Sequence, residues 1–269
     1  MKSYLVIVLI FITLTQNLSA GWVLQVRYTN PEGKVSFEAI EIQNNRLRSA
    51  GIDGVFIFDL NDNTLAVVNE IDKTYWKYDI NEIRQAYYDA SRKFLDEIMK
   101  GFSESDRELY EMLFGDLENL YAPIDPEKLD SINVRIEPTG ETEEFLGFVA
   151  DEYLILVNEE LKERKWLAKS LDINSQMNSR KMREIFMEIS PAVGEEMLYQ
   201  FTDAYLSLNE KGFEMRSLDN EGQETEVVSA EERNLDESIF SIPADYRRIS
   251  IEEMMMTEFG KVEGEMKRE

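Results

Sequence analysis

The chain has 269 residues, with 54 acidic and 29 basic side chains, no histidine and no cysteine, and a formal net charge of −25. Without cysteine there is no disulfide, thiolate nucleophile, Cys-ligated metal site or lipid-modified lipobox; without histidine there is no Ser-His-Asp triad, HExxH zinc site or imidazole base near neutral pH. The charge argues against nucleic acid as a partner, because a binder needs basic surface to displace phosphate counterions, and against adsorption to anionic lipid.

Residues 1–20 read as a secretory signal. Lys2 supplies the positive start, Leu5–Leu14 is an apolar run, and Leu18-Ser19-Ala20 ends in a small residue before Gly21. The apolar run is shorter than the roughly 20 residues that span a bilayer. A cleaved signal is therefore expected, in preference to an uncleaved anchor, and the mature chain is expected to be periplasmic or secreted. No later segment is apolar enough to suggest an integral membrane span in the mature chain. An exported chain of this length can bury a core without disulfide staples.

Residues 22–79 read as a β-meander. Trp22, Leu24, Val26 and Tyr28 share one face of a first strand, and Asn30-Pro31-Glu32-Gly33 has turn chemistry. The second strand begins with Val35, Phe37 and Ala39 on one face, then switches parity to Ile40 and Ile42, which suggests a bulge. Asn44-Asn45 turns the chain into Arg46–Ser49. Gly54–Leu60 is apolar on both faces and reads as a central strand, followed by Thr64–Asn69 and Thr74–Asp79.

The period then changes. Ile83, Tyr87, Ala90, Phe94 and Ile98 recur at threes and fours, so about 80–100 is an amphipathic helix ended by Gly101. Ser105 and Glu108 fit a capping box for a second helix, closed by Pro123 and Pro126. Strands resume at Ser131–Glu137, with a turn at Pro138-Thr139-Gly140. Phe145–Val157 is one long strand or two short ones, and Lys162–Lys169 is another. A helical stretch covers roughly 179–205, broken near Pro191 and Gly194. Gly212–Asp219 and Thr225–Arg233 read as a hairpin, Ile239–Ile242 as a last short strand, 250–259 as a helix, and 261–269 as a flexible tail. The fold class is α+β: one antiparallel sheet interrupted by helices, in a single domain over 21–260 with a helical insertion at about 80–121.

Few motifs carry chemistry. Asp59, Asn61, Asn63 and Glu70 occupy positions 1, 3, 5 and 12 of an EF-hand loop, but position 6 is Thr64 rather than glycine and the flanks read as strands. A polar hairpin turn is the expected role, and no metal is expected. Glu143-Glu144, Glu231-Glu232 and Glu252-Glu253 resemble glycosidase pairs, yet with so many carboxylates such pairs arise on any solvated surface. Met254-Met255-Met256 lacks histidine or cysteine partners for a soft metal, so one or two of these methionines should pack on the sheet. The aromatics of the first meander are the better signal. Trp22, Tyr28, Phe37, Phe56, Phe58 and Tyr75 are read as candidate lining of an apolar groove, against the plainer role of sheet core. Arg46 and Arg48 share a strand face; they could meet an anionic head group or hold a helical lid, against the plainer role of pairing with surface acids.

Several stretches together resemble a known family: NNRLRSAG, then GVFIFDLNDNTLAVVNEIDKTYW, GETEEFLGFVADEYLI, RKWLAKS and GFEMRSL. They end in SIFSIPADYRRISIEEM with its Phe240, Ile242, Pro243, Tyr246 spacing. This run resembles the DUF4412 family of exported bacterial proteins, which are similar in fold to the periplasmic lipoprotein carriers of the Lol system (LolA and LolB). The resemblance implies a curved antiparallel sheet forming an incomplete, half β-barrel, with helices covering its concave face. Two features depart from the family. Val149-Ala150 follows Gly147-Phe148 where members often carry a cysteine, and the 80–121 segment is longer than usual, long enough to plug the cavity. The expected function is a non-enzymatic periplasmic protein that binds an apolar or amphipathic ligand, such as a lipid or acyl chain, in the half-barrel groove. The alternative is an envelope interaction or structural module whose groove is filled by its own helices. No catalytic residue and no cofactor are expected; the expected partners are a hydrophobic small molecule or lipid, or another envelope protein.

Overall fold

Turn residues set the register of the sheet. In this computed structural model, which describes residues 20–52, 54–100, 103–104, 117, 121–189 and 195–257, the first meander is β1 (Gly21–Thr29), β2 (Val35–Gln43), β3 (Arg46–Gly51), β4 (Gly54–Asp59), β5 (Thr64–Asn69) and β6 (Thr74–Asp79). Asn44 and Asn45 both have positive φ, the backbone that a two-residue hairpin needs and that asparagine tolerates. The EF-hand-like stretch is a hairpin turn between β4 and β5, where the Asp59 carboxylate accepts from the backbone N–H groups of Asn61 and Asp62. The parity switch in β2 is not a bulge: β1 and β2 pair without a break from Trp22–Ile42 to Thr29–Val35. Val35 and Phe37 simply lie exposed on the other face. The bulge in this region is on the other side of β1, where the register with the eleventh strand shifts between Gln25 and Val26.

Helix α1 (Ile80–Met99) begins where the Asp79 side chain accepts from the Asn81 N–H. The expected second helix of this excursion and the signal segment lie largely, and the tail wholly, outside the described residues. A short α2 (Pro126–Asp130), capped by Asp125, leads into β7 (Val134–Phe145). β7 runs straight through the expected turn at Pro138-Thr139-Gly140, with a register shift there. It is an edge strand, where a proline costs no ladder hydrogen bond on its open side. A tight turn at Leu146-Gly147, both with positive φ, leads to β8 (Phe148–Val157), and β9 (Glu160–Ala168) follows.

The next helical stretch contains α3 (Ser179–Ile189), a 3₁₀ segment at Glu195–Phe201, α4 (Asp203–Leu206) and a 3₁₀ turn at Ser207–Glu210. Strands β10 (Phe213–Asp219) and β11 (Glu224–Arg233) form the expected hairpin. The stretch read as a strand at Ile239–Ile242 instead starts with a 3₁₀ turn, Glu237–Phe240, because Asp236 caps it through the Ser238 N–H. The last strand is β12 (Arg247–Arg248), which pairs parallel with β6. Residues 251–257 are helical.

The twelve strands of the described residues form one open sheet, in the order β12-β6-β5-β4-β3-β2-β1-β11-β10-β9-β8-β7. Every pairing except β12–β6 is antiparallel. Cross-strand pairs place Leu47, Phe58, Leu65 and Tyr78 on one face, along with Phe56, Val67 and Trp76. Helices pack on this face: Ile80, Ile83, Ala90, Ile185 and Ile251 join Phe58, Leu65 and Trp76 in one buried cluster. Trp76 Nε1 donates to Met254 Sδ at 3.1 Å, and Met255 packs on the same cluster, so two of the three adjacent methionines are anchors. At the other end of the sheet, Tyr153, Ile155 and Leu167 lie under Tyr199, Tyr205 and Leu208. The opposite face carries Val55, Ile57, Ala66 and Val68, covered by Phe240, Ile242 and Tyr246. The closing motif is therefore a strap across the back of the first meander.

Ile83 is fully buried beneath α1. Replacing it by alanine removes that packing and leaves a void, so Ile83→Ala should lower the unfolding free energy by about 2–5 kcal/mol in urea melts.

Candidate functional site

The helices of the covered face leave a gap between α3 and the 195–210 segment. A cavity of about 760 Å³ opens there. Its walls come from distant parts of the chain. Leu47 of β3, Leu167 of β9 and Glu214 of β10 belong to the sheet side. Ser179, Met182, Arg183 and Phe186 follow the three–four spacing of one face of α3. Ile185, on another face of α3, is buried in the first meander's cluster, and Phe186 meets Phe58 with ring centroids 5.7 Å apart. Arg84 of α1 ties down the end of α3, donating to the Met187 carbonyl at 3.1 Å and pairing with Glu188. Met197, Phe201 and Leu208 line the opposite wall. Gly212, at φ +149°, also lines the cavity; a side chain there would strike the Ala168 backbone at 2.7 Å, so only glycine lets the chain close against β9.

Three polar residues of the wall, Glu214, Gln200 and Tyr205, contact an ion pair that is itself buried, Lys165 with Glu163. Lys165 Nζ pairs with Glu163 at 2.9 Å and with Glu214 at 2.6 Å. Glu163 also accepts from Tyr199, from Gln200 at 3.1 Å and from Tyr205 at 3.1 Å. A register shift puts Glu214 within reach. Lys165 opposes Ser217 and Leu167 opposes Glu214, with an extra residue on β10 between Glu214 and Arg216. Three positions apart in a regular strand, Glu214 and Ser217 would face opposite ways; the bulge turns Glu214 onto the face of Lys165. Burial alone would raise the Glu163 carboxyl, but the Lys165 ammonium and the hydrogen bonds from Lys165, Tyr199 and Gln200 outweigh it and hold it low. Burial likewise opposes the Lys165 charge, yet Glu214, Tyr205 and Glu163 outweigh it and raise Lys165 well above its ordinary value. Both groups are charged at neutral pH. Burial, then the charge of Glu163, raises the Tyr199 phenol, which remains a neutral donor.

None of the eight residues read from the sequence lines this cavity. Trp22 packs against the central core, and Phe58 lies in the first meander's cluster, one contact away through Phe186. Tyr28, Phe37 and Phe56 border a smaller recess of about 250 Å³, in which Glu38 accepts from Tyr28 and Ser49. Phe37 stems from the opposite face, where it pairs across from Arg27. Tyr75 is on that opposite face too, beneath the closing strap. Arg46 and Arg48 do share a face, away from the helices. Arg46 pairs with Glu237 at 3.1 Å and lies over the Phe240 ring, while Arg48 pairs with Glu41 at 3.0 Å and Glu70 at 3.5 Å. The arginines thus hold surface acids and the strap. Among the described residues, no group of three or more acidic side chains is placed to hold a metal ion, and no helix is long and apolar enough to cross a membrane.

Fold and site together define a mixed α+β protein: one large, curved, unclosed sheet with an apolar cavity on its helix-bearing face. Residues 125–246 match the family model DUF4412, described as a domain of unknown function, the family that the sequence motifs resemble. Among the described residues that line the cavity, that stretch contains all but Leu47. No curated protein matches the chain by sequence. Among solved structures, PNGF-II in its C2 crystal form is similar over 88% of this chain and 32% of its own, at 11% identity and a TM-score of 0.38. MucB is similar over 86% of this chain and 60% of its own, at 11% identity and a TM-score of 0.38. The Pseudomonas aeruginosa MucA/MucB complex gives 87% and 59%, at 10% identity and a TM-score of 0.37. The chain thus spans less than two thirds of the length of each of these.

The ion cluster contributes to the pH dependence of stability. The folded pKa of Glu163 lies below its ordinary 4.5, so its contribution to stability is present above that value and is lost as pH falls through the folded one. Acid-induced unfolding followed by tryptophan fluorescence should therefore show a smaller loss of stability below about pH 4.5 in Glu163→Gln than in wild type. Lys165→Met leaves two carboxylates without their cation. It should cost about 3–5 kcal/mol in urea melts at neutral pH, and adding Glu163→Gln should recover part of that loss.

Proposed function

We propose that the chain is a non-catalytic binding protein of the bacterial envelope that holds an apolar or amphipathic ligand in the cavity beside α3. In this reading the open sheet is an incomplete barrel, its helix-bearing face is concave, and residues 1–20 direct export. The observation that carries the proposal is the cavity itself. Its volume of about 760 Å³ falls in the range of small-molecule sites, and its walls are mostly apolar with a few convergent polar groups. Met177, Met182 and Met197 give it deformable walls, which suits a ligand without fixed shape such as an acyl chain. The charged groups beside it are tied to one another: Lys165 is raised and Glu163 lowered, both away from the neutral range in which proton transfer is most efficient.

The alternative, an interaction module whose groove is filled by its own helices, is favoured by α1 lying on the first meander. The gap beside α3 counts against it.

Native mass spectrometry of protein released gently from an envelope extract should show a species heavier than the bare polypeptide. The purified chain should also bind the neutral fluorescent probe N-phenyl-1-naphthylamine. Met197→Glu, on the cavity wall, should weaken the probe at least several-fold, and Trp22→Phe should leave it unchanged. A bare mass together with no probe binding would refute the reading.

A further inference from the structure

We infer that the cavity takes an amphipathic cation: an alkyl or acyl chain bearing a protonated amine, with the ammonium group seated against Glu214. The inference rests on the reading of the cavity as an apolar-ligand site and adds the charge of the ligand. Among the described residues, two ionised side chains line the cavity, Arg183 and Glu214. The Arg183 charge is matched, because Nη1 donates to the Asp203 carboxylate at 2.8 Å and to the Phe201 carbonyl at 2.9 Å. The other cluster is not matched. Glu163 and Glu214 share the single ammonium of Lys165, which leaves one negative charge.

That charge faces the cavity. Glu163 is enclosed by Lys165, Tyr199, Gln200 and Tyr205 and is almost wholly buried. Among the described residues, Glu214 commits only Oε2, to Lys165, and its side chain remains 36% exposed on the cavity wall. The bulge that turns Glu214 onto this face supplies Lys165 with a second carboxylate, where Glu163 alone would balance it. An incoming ammonium restores neutrality and makes charge-assisted hydrogen bonds to Glu214 in a partly desolvated site. A carboxylate or phosphate head group in the same place would meet a like charge. The chain of the ligand would then lie along Met182, Phe186, Met197 and Leu208.

The test compares three ligands of one chain length, below their aggregation limits and at physiological salt, where the general attraction of an acidic protein for cations is screened. Dodecylammonium, dodecanol and dodecanoate compete against bound N-phenyl-1-naphthylamine. Dodecylammonium should displace the probe at about tenfold lower concentration than dodecanoate, with dodecanol between them. Glu214→Gln should remove the preference for the ammonium and leave dodecanol unchanged, which also reports that the variant is folded. Equal displacement by all three, a preference for dodecanoate, or a preference that survives Glu214→Gln would overturn the inference while leaving an apolar-ligand site in place. A bound probe that none of the three displaces would overturn the inference alone, whereas failure of the probe itself to bind would remove the binding reading's support and this inference with it.

Discussion

A single sheet has two faces, and a chain that can form no disulfide must cover enough of both. This constraint organises the molecule. On one face the cover is helical and comes in two parts, α1 with α3 over the first meander and the 195–210 segment over β7–β9. On the other face an irregular strap, opening in a 3₁₀ turn, carries Phe240, Ile242 and Tyr246 across β4, β5 and β6. The two helical covers are separate pieces, so a gap between them is the natural result, and the cavity lies in that gap. The site is thus what the covering of the sheet leaves open.

The ion cluster at the edge of the gap is an expensive arrangement in isolation. Buried charges lose hydration that their mutual attraction only partly restores, and hydrophobic replacements of such clusters are often no less stable. Here the desolvation is offset by unusually complete hydrogen bonding at Glu163. Completeness at Glu163 contrasts with the open coordination of Glu214, whose second oxygen is left to the cavity side. The cluster is rigid at one end and receptive at the other.

Much of the fold was legible because its signals are local. Period-two alternation and the Asn44-Asn45 and Asn30–Gly33 turns locate β1 to β6, and the three–four spacing of Ile83, Tyr87 and Ala90 locates α1. The failures are places where a tertiary contact overrides a local rule. Pro138 reads as a turn but is tolerated because β7 is an edge. Ile239–Ile242 reads as a strand, but Asp236 caps a turn and the side chains face the back of the sheet. The cavity was hidden because β3, β9, β10, α3 and the 195–210 segment meet only in the folded state. Glu163, Lys165 and Glu214 look like any other surface charges in a chain with 54 carboxylates, and the bulge that gathers them leaves no mark in the sequence. Among the aromatics read as lining, face was the missing information: a strand shows which residues alternate, not which side is covered.

The pairing of β1 with β11 has a consequence for the order of events as the chain is made. Residues 21–29 emerge early, and their partners, residues 224–233, emerge some two hundred residues later. Until then β1 can pair only with β2, and its other edge is an unfilled template that any extended segment can occupy. The join between the two halves of the sheet is also a contact of very long sequence separation, the kind that forms late and slowly. Productive folding therefore depends on keeping that edge unoccupied until the last hairpin arrives, which favours holding the chain unfolded until it is complete.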